Sequence, residues 1–140
     1  LGAGLTLWSR FSYQEGEEQD DDSADYVPLR HASPWFGTTH LVYKKKKWLM
    51  DLYAMYSGEL PFEAMPPSER SKPHIYAIDA DGNPYSPGWF TLNFKAQYQL
   101  TDDWQLTVGV ENMLDERYRP YSSGIVAPGR NVILTGRWRF

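Results

Sequence analysis

The chain has 140 residues, 41% of them hydrophobic and 16% aromatic, and no cysteine. That length suits one ordinary domain, the absence of cysteine removes disulfides and thiolate chemistry, and no run approaches the roughly 20 apolar residues of a membrane helix. The formal net charge of -4 is unevenly placed: Glu15, Glu17, Glu18, Asp20, Asp21, Asp22 and Asp25 lie together, and Lys44 to Lys47 form a compact basic run. Such a pattern offers no extended phosphate-tracking surface, so a nucleic-acid partner is not expected. The sequence opens on Leu1 with no initiator Met and no signal-peptide pattern, which reads as a start inside a larger protein.

Taken in chain order, period-two alternation predicts strands at Leu5 to Tyr13, Trp35 to Tyr43, Trp48 to Tyr56, Phe90 to Leu100, Trp104 to Asn112 and Asn131 to Phe140. Each is near the ~9 to 11 residues that cross a bilayer as a tilted strand. In the third, Trp48, Met50, Leu52, Ala54 and Tyr56 oppose Asp51, and in the fifth, Trp104, Leu106, Val108 and Val110 oppose Gln105, Thr107 and Glu111. The fourth alternates most cleanly: Phe90, Leu92, Phe94, Ala96, Tyr98 and Leu100 interleave with Thr91, Asn93, Lys95, Gln97 and Gln99. The last sets Val132, Leu134, Gly136, Trp138 and Phe140 against Ile133, Thr135, Arg137 and Arg139, and ends the chain on an aromatic residue. Trp138 and Phe140 are the terminal signature expected of a barrel strand with one face to lipid.

Aromatic residues gather near strand ends. Trp35, Tyr43, Trp48, Tyr56, Trp89, Phe90, Tyr98 and Trp104 read as girdle residues, since amphipathic rings prefer the headgroup level. Connections alternate long and short: Gln14 to Pro34, Lys44 to Lys47, Ser57 to Trp89, Thr101 to Asp103, and Met113 to Arg130. In bacterial outer-membrane barrels the short turns are periplasmic and the long loops external. That places the Lys44 and Thr101 turns and the carboxy terminus in the periplasm. The fold class is therefore all-β, an antiparallel up-and-down transmembrane barrel arc of about six strands. Even ~8 strands leave an interior that side chains fill, so the arc is expected to be part of a larger barrel.

Three stretches carry a resemblance to a known family: Trp89-Phe-Thr-Leu-Asn-Phe-Lys-Ala-Gln-Tyr-Gln-Leu, Val108-Gly-Val-Glu-Asn-Met-Leu-Asp-Glu-Arg-Tyr, and Pro128-Gly-Arg-Asn-Val-Ile-Leu-Thr-Gly-Arg-Trp-Arg-Phe. In order and spacing they resemble the carboxy-terminal end of TonB-dependent outer-membrane receptors. There an Asn-Leu-Phe-Asp-x-x-Tyr-like segment precedes a Pro-x-Arg-led closing strand ending in Phe. Met113-Leu114 departs from the usual Leu-Phe while staying apolar, and Pro28-Leu-Arg-His resembles the family's entry into a descending strand. The resemblance implies a barrel of about 22 strands around an amino-terminal plug, energised through TonB. It implies uptake of a scarce nutrient such as a ferric siderophore, haem or cobalamin. Residues 1–140 would then be the carboxy-terminal barrel segment, with plug and TonB box lying outside it. The partners implied are outer-membrane lipid, the rest of the barrel and plug, TonB through the missing amino-terminal part, and a small nutrient ligand. The alternative is a non-transporting outer-membrane barrel for adhesion or structure. A soluble β-sandwich lectin is a further alternative, and would need the outward aromatics buried between two sheets.

No catalytic constellation can be specified, so no enzyme activity is expected, and no cofactor. The acidic stretch invites a Ca²⁺ site, but a solvated, self-repelling loop is the simpler reading. Asp79-Ala-Asp-Gly-Asn-Pro fails as an EF-hand because Pro84 and Phe90 occupy the turn-glycine and bidentate-glutamate positions; Asp81-Gly82 reads as a tight turn. His31, His40 and His74 lack zinc-like spacing, so no metal is inferred; His40 is expected in a hydrogen-bond network on the inward face. Arg10, Lys95, Arg137 and Arg139 are expected to face the lumen as part of a hydrated barrel interior, with holding plug carboxylates or steering an anionic ligand as the alternatives. In the last long loop Tyr118, Arg119 and Tyr121 combine aromatic and guanidinium groups suited to a rigid organic ligand, and are the candidate ligand contacts; packing against neighbouring loops is the alternative.

Overall fold

A computed structural model describes residues 4–21 and 23–140; Asp22 of the acidic stretch lies outside the described residues. Its strands in chain order are β1 (Leu5–Ser12), β2 (Glu17–Gln19), β3 (Tyr26–Pro28), β4 (Phe36–Lys45), β5 (Trp48–Ser57), β6 (Ala77–Ile78), β7 (Pro84–Tyr85), β8 (Trp89–Gln99), β9 (Trp104–Glu111) and β10 (Asn131–Trp138). The six long ones form one antiparallel sheet in the order β1-β4-β5-β8-β9-β10, each hydrogen-bonded to its sequence neighbour among them. This is the up-and-down meander expected from the alternation, and the sheet is open rather than closed on itself.

Register fixes the faces, because directly opposed residues share a side. Leu7 pairs with Leu41, Leu41 with Leu52, Leu52 with Phe94, Phe94 with Val110, and Val110 with Val132, an apolar row crossing the whole sheet. Adjacent rows on that face carry Met50, Ala96, Val108 and Leu134. These side chains cover nothing: Val132 is 70% and Leu134 71% exposed. The opposite face bears Thr38, His40, Asp51, Lys95, Gln97, Gln105, Thr107 and Arg137, and is concave, with a hollow of about 290 Å³ around Gly109. A polar concave face and an apolar convex one match a barrel wall with hydrated interior and lipid exterior.

Two hydroxyls interrupt the apolar face and satisfy each other. Ser9 and Thr39 are paired across β1 and β4, with their oxygens 2.9 Å apart, and the Tyr56 hydroxyl lies 3.1 Å from Thr39 Oγ1. Tyr56 reaches there because its partner across the ladder is Gly37, where an added Cβ would come within 2.6 Å of the Tyr56 ring.

The turn end is tightly built. Pairing continues to Lys45 opposite Trp48, so the expected connection Lys44 to Lys47 narrows to Lys46 and Lys47, with Lys46 at φ 51°. In the other short turn the Thr101 hydroxyl accepts the amide hydrogen of Trp104 at 3.1 Å. Strand β10 pairs as far as Trp138 opposite Trp104 rather than to Phe140; past it the Arg139 amide still donates to the Asp103 carbonyl at 3.0 Å, in the turn before β9. Trp48 with Tyr98 and Trp104 with Trp138 pair at ring distances of 4.5 and 5.7 Å at this rim, as girdle residues should. Phe11, Trp35 and Tyr56 form the corresponding cluster at the other rim. Trp89, also expected in the girdle, lies opposite Ser57 on the polar face, one residue out of phase with Phe90.

The long loops at the far end carry structure of their own. Hairpin β2-β3 lies within the first, while the second holds helix α1 (Pro67–Arg70), two single 3₁₀ turns and hairpin β6-β7. Among the described residues, the fully buried side chains are Met65, Pro66 and Glu69, all in this second loop.

Candidate functional site

The last long loop is cinched at its base by the residues that carry the family-like motif. Asn112 takes φ 49° and Asp115 φ 58°, left-handed conformations that Asn and Asp tolerate best among residues with a Cβ. The Asn112 side chain is fully used: Nδ2 donates to the carbonyls of Glu116 at 2.8 Å and Pro128 at 3.1 Å, and Oδ1 accepts the Glu116 amide hydrogen at 2.9 Å. Its backbone amide donates to Asn93 Oδ1 of β8 at 2.8 Å, which fastens the loop to the sheet. Asp115 Oδ1 accepts the Arg130 amide hydrogen at 2.8 Å, and Arg130 Nε donates to the Met113 carbonyl at 3.0 Å. Both ends of the loop are thus tied together before the chain enters β10.

This clamp projects residues 116–127 against the second loop. Tyr118 stacks on Trp89 at 4.2 Å between ring centres, Arg119 Nη1 donates to the Ile75 carbonyl at 3.2 Å, and Tyr121 lies 6.1 Å from Tyr76. The three candidate contacts are therefore brought to one loop-loop junction. Beside it opens a cavity of about 330 Å³ lined by Ile75, Pro87, Arg117, Tyr118, Arg119 and Val126, so Tyr118 and Arg119 face it and Tyr121 does not. Burial, then the Glu111 carboxylate, raise the Tyr118 phenol above its ordinary value, which keeps it a neutral hydroxyl. Apolar walls, a ring edge and two guanidinium groups suit a flat organic ligand bearing acidic groups.

The concave face holds a second polar cluster. His40 is stacked between Trp8 at 3.9 Å and Tyr53 at 4.9 Å, three rings on three neighbouring strands. Its Nδ1 lies 2.9 Å from Asp51 Oδ2 and its Nε2 2.9 Å from Thr38 Oγ1, so the inward histidine does belong to a hydrogen-bond network. Thr38 also donates to the Ala54 carbonyl at 3.0 Å. The Arg10 guanidinium lies 5.7 Å from the Trp8 ring centre. Lys95 and Arg137 sit around the Gly109 hollow, and no carboxylate among the described residues is in ion-pair contact with them.

The acidic stretch is partly neutralised by one residue: Arg30 bridges Glu18 at 2.6 Å and Asp21 at 2.7 Å. Asp79 and Gly82 form a tight turn, with Asp79 Oδ1 accepting the amide hydrogens of Asp81 and Asn83 and Gly82 at φ 89°. Among the described residues no cluster of His, Asp and Glu has metal-holding geometry.

A family model described as "TonB dependent receptor-like, beta-barrel" matches residues 1–113. No curated protein matches the sequence. Similar solved structures include copper transporter OprC (19% identity, TM-score 0.77, covering 100% of this chain and 21% of that one). A mutant of the ferric enterobactin receptor PfeA from Pseudomonas aeruginosa is similar at 14% identity and TM-score 0.69 (100% and 20%). The unliganded ferric citrate transporter FecA is similar at 20% identity and TM-score 0.69 (98% and 21%). The chain spans about a fifth of the length of each, and its clamp residues from Asp115 onward lie beyond the family-model match. With most of its length matched and its open six-stranded sheet overlaying barrels of this kind, the chain belongs to the TonB-dependent receptor β-barrel family.

Proposed function

We propose that this chain supplies the carboxy-terminal barrel wall and the external loops of a bacterial outer-membrane receptor that imports a scarce nutrient. The class is that of a ferric siderophore, haem or cobalamin; neighbours named for ferric citrate and ferric enterobactin favour the ferric chelates within it, while another is named for copper. The observation that carries the reading is the two-faced open sheet: an apolar side left uncovered by the described residues, and a polar concave side where Lys95 and Arg137 have no carboxylate partner among them. Lys95 and Arg137 then await carboxylates of a plug, which with its TonB box belongs to a part of the receptor outside residues 1–140. The short turns and carboxy terminus are periplasmic, and the loops that bear Tyr118, Arg119 and Tyr121 face the medium.

Capture would occur at the loop junction, where the cavity beside Tyr118 takes the ligand and Arg117 and Arg119 face its acidic groups. The plug then moves under TonB tension and the ligand passes along the polar wall. No chemical step on the ligand is required.

The test is uptake by cells expressing the full-length receptor, with ferric enterobactin and ferric citrate as probes. Saturable, TonB-dependent accumulation of either, weakened at least tenfold by alanine at Tyr118, Arg119 and Tyr121 together, supports the reading. A native product without a plug, embedded in the outer membrane and accumulating neither probe, would point to the non-transporting barrel.

A further inference from the structure

The most enclosed charge among the described residues lies behind the loop junction, next to Tyr76. Glu69, in α1 of the second long loop, is completely buried. Its carboxylate accepts from Lys72 Nζ at 2.9 Å and from the Tyr76 hydroxyl within the same loop, and from Ser122 Oγ at 3.3 Å in the last loop. His31 of the first loop holds its Nδ1 3.7 Å away. Both His31 and Ser122 reach this point on left-handed backbone, at φ 61° and 57°. That conformation is disfavoured for residues with a Cβ and persists where surrounding contacts over-determine it.

We propose that Glu69 is the clasp of the loop assembly, a positioning residue that joins the three long loops into one cooperative unit and so sets where the tip bearing Tyr118, Arg119 and Tyr121 sits. A buried carboxylate removed from water is tolerable only when its lone pairs are met. Here the donors come from two loops, with a third loop's imidazole alongside. The second loop gives each carboxylate oxygen one donor, and the last loop adds a further donor to Oε1 through Ser122, so the burial of Glu69 is shared between the two loops. A spare donor stands by: the Tyr121 hydroxyl is buried beside Tyr76 with no hydrogen-bond partner among the described residues. Separating the last loop from the second would expose Glu69 and Tyr121 together.

The role of the tip rests on the proposed function, but the clasp does not, and its test needs no ligand. Hydrogen exchange is measured on the full-length receptor in detergent, comparing wild type with Glu69→Gln and Ser122→Ala. Ser122→Ala removes one hydroxyl from the far side of the contact and leaves α1 intact. The clasp requires that Ser122→Ala speed exchange of the amides of residues 66–76 severalfold, although 53 residues of sequence separate the partners. Glu69→Gln is expected to speed residues 118–127 at least tenfold, with β4, β5 and β8 unchanged. If each substitution loosens only its own loop, Glu69 is a local helix feature and the proposal is overturned. Failed uptake with the coupling intact would count against the functional reading alone.

Discussion

The sheet and the loop assembly of this chain are built on opposite plans. In the sheet, large apolar side chains such as Val132 and Leu134 point away from the molecule, and the face turned inward is polar. In the loops, Met65 and Pro66 are buried and the exposed surface carries Glu15, Asp21 and Glu63, as in a small soluble protein. The hydrophobic effect therefore acts on two different solvents within one chain. The sheet gains its apolar burial from lipid, whereas the loops must find theirs in one another. The loops also hold their conformation by directed bonds, with Asn112, Asp115 and Glu69 as the principal acceptors and donors.

The contrast is broken most severely by exchanging the two plans. Leu134→Arg, in mid-strand on the apolar face opposite Val108, is expected to cost about 2 to 4 kcal/mol in lipid. Thr107→Arg on the polar face should cost a small fraction of that. Urea titration of the full-length receptor folded into vesicles measures both, and equal costs would mean the faces are misassigned. Next in size is the loop base. Asn112→Ala removes the side-chain bonds to Glu116 and Pro128 and should cost about 2 kcal/mol locally, seen as faster exchange of residues 113–130 with β9 unaffected.

A pH titration separates the regions differently. Burial pushes the Glu69 carboxyl up, but the hydrogen bonds from Tyr76, Lys72 and Ser122 outweigh it and leave the group below its ordinary value. A depressed folded value means that ionised Glu69 stabilises the loops fully above its unfolded value of ~4.3. That stability is lost as pH falls through the lower, folded value. Loop protection factors should therefore collapse in acid before those of the sheet, and Glu69→Gln should remove the difference. The neighbouring Tyr121 phenol, pushed up to about 12 by burial and the Glu69 charge, stays protonated throughout that range. The smallest effect belongs to the turn end: Lys46→Gly at φ 51° should relieve left-handed strain and stabilise the β4-β5 hairpin by up to about 1 kcal/mol. No gain in urea midpoint would show the turn to be unstrained.

These differences also explain what could be read from the sequence. All six long strands, their order and their faces follow from period-two alternation, because a barrel strand declares its two environments residue by residue. The terminal departures have local causes: Trp89 and Phe90 are both large aromatics, so alternation alone could not say which faces outward, and the ladder of β10 passes at Arg139 from strand β9 to the turn residue Asp103. The Asp81-Gly82 turn was legible because Asp and Gly act on their own backbone. Of the candidate contacts, Tyr118, Arg119 and Tyr121 do meet at one junction, yet their partners Ile75 and Tyr76 come from another loop and Trp89 from the start of β8. Glu69 carried no signal at all, because nothing in its neighbours Ser68 and Arg70 indicates that its hydrogen bonds reach Ser122.

The hydroxyl seam of Ser9, Thr39 and Tyr56 has a consequence for assembly in the bilayer. These hydroxyls lie just inside the aromatic rim, where an unmet one is costly and no neighbouring methyl group can offset it, although Ser9 Oγ also reaches the Thr38 carbonyl at 3.2 Å. They meet only when β1, β4 and β5 are aligned as observed. A slip of one residue between β1 and β4 would bring Ser9 opposite Thr38 or His40, turn the strand over and take the Ser9 hydroxyl away from Thr39, leaving Thr39 with Tyr56 alone. The seam therefore proofreads strand alignment during insertion, rewarding one pairing among several that the surrounding leucines, being interchangeable, would accept.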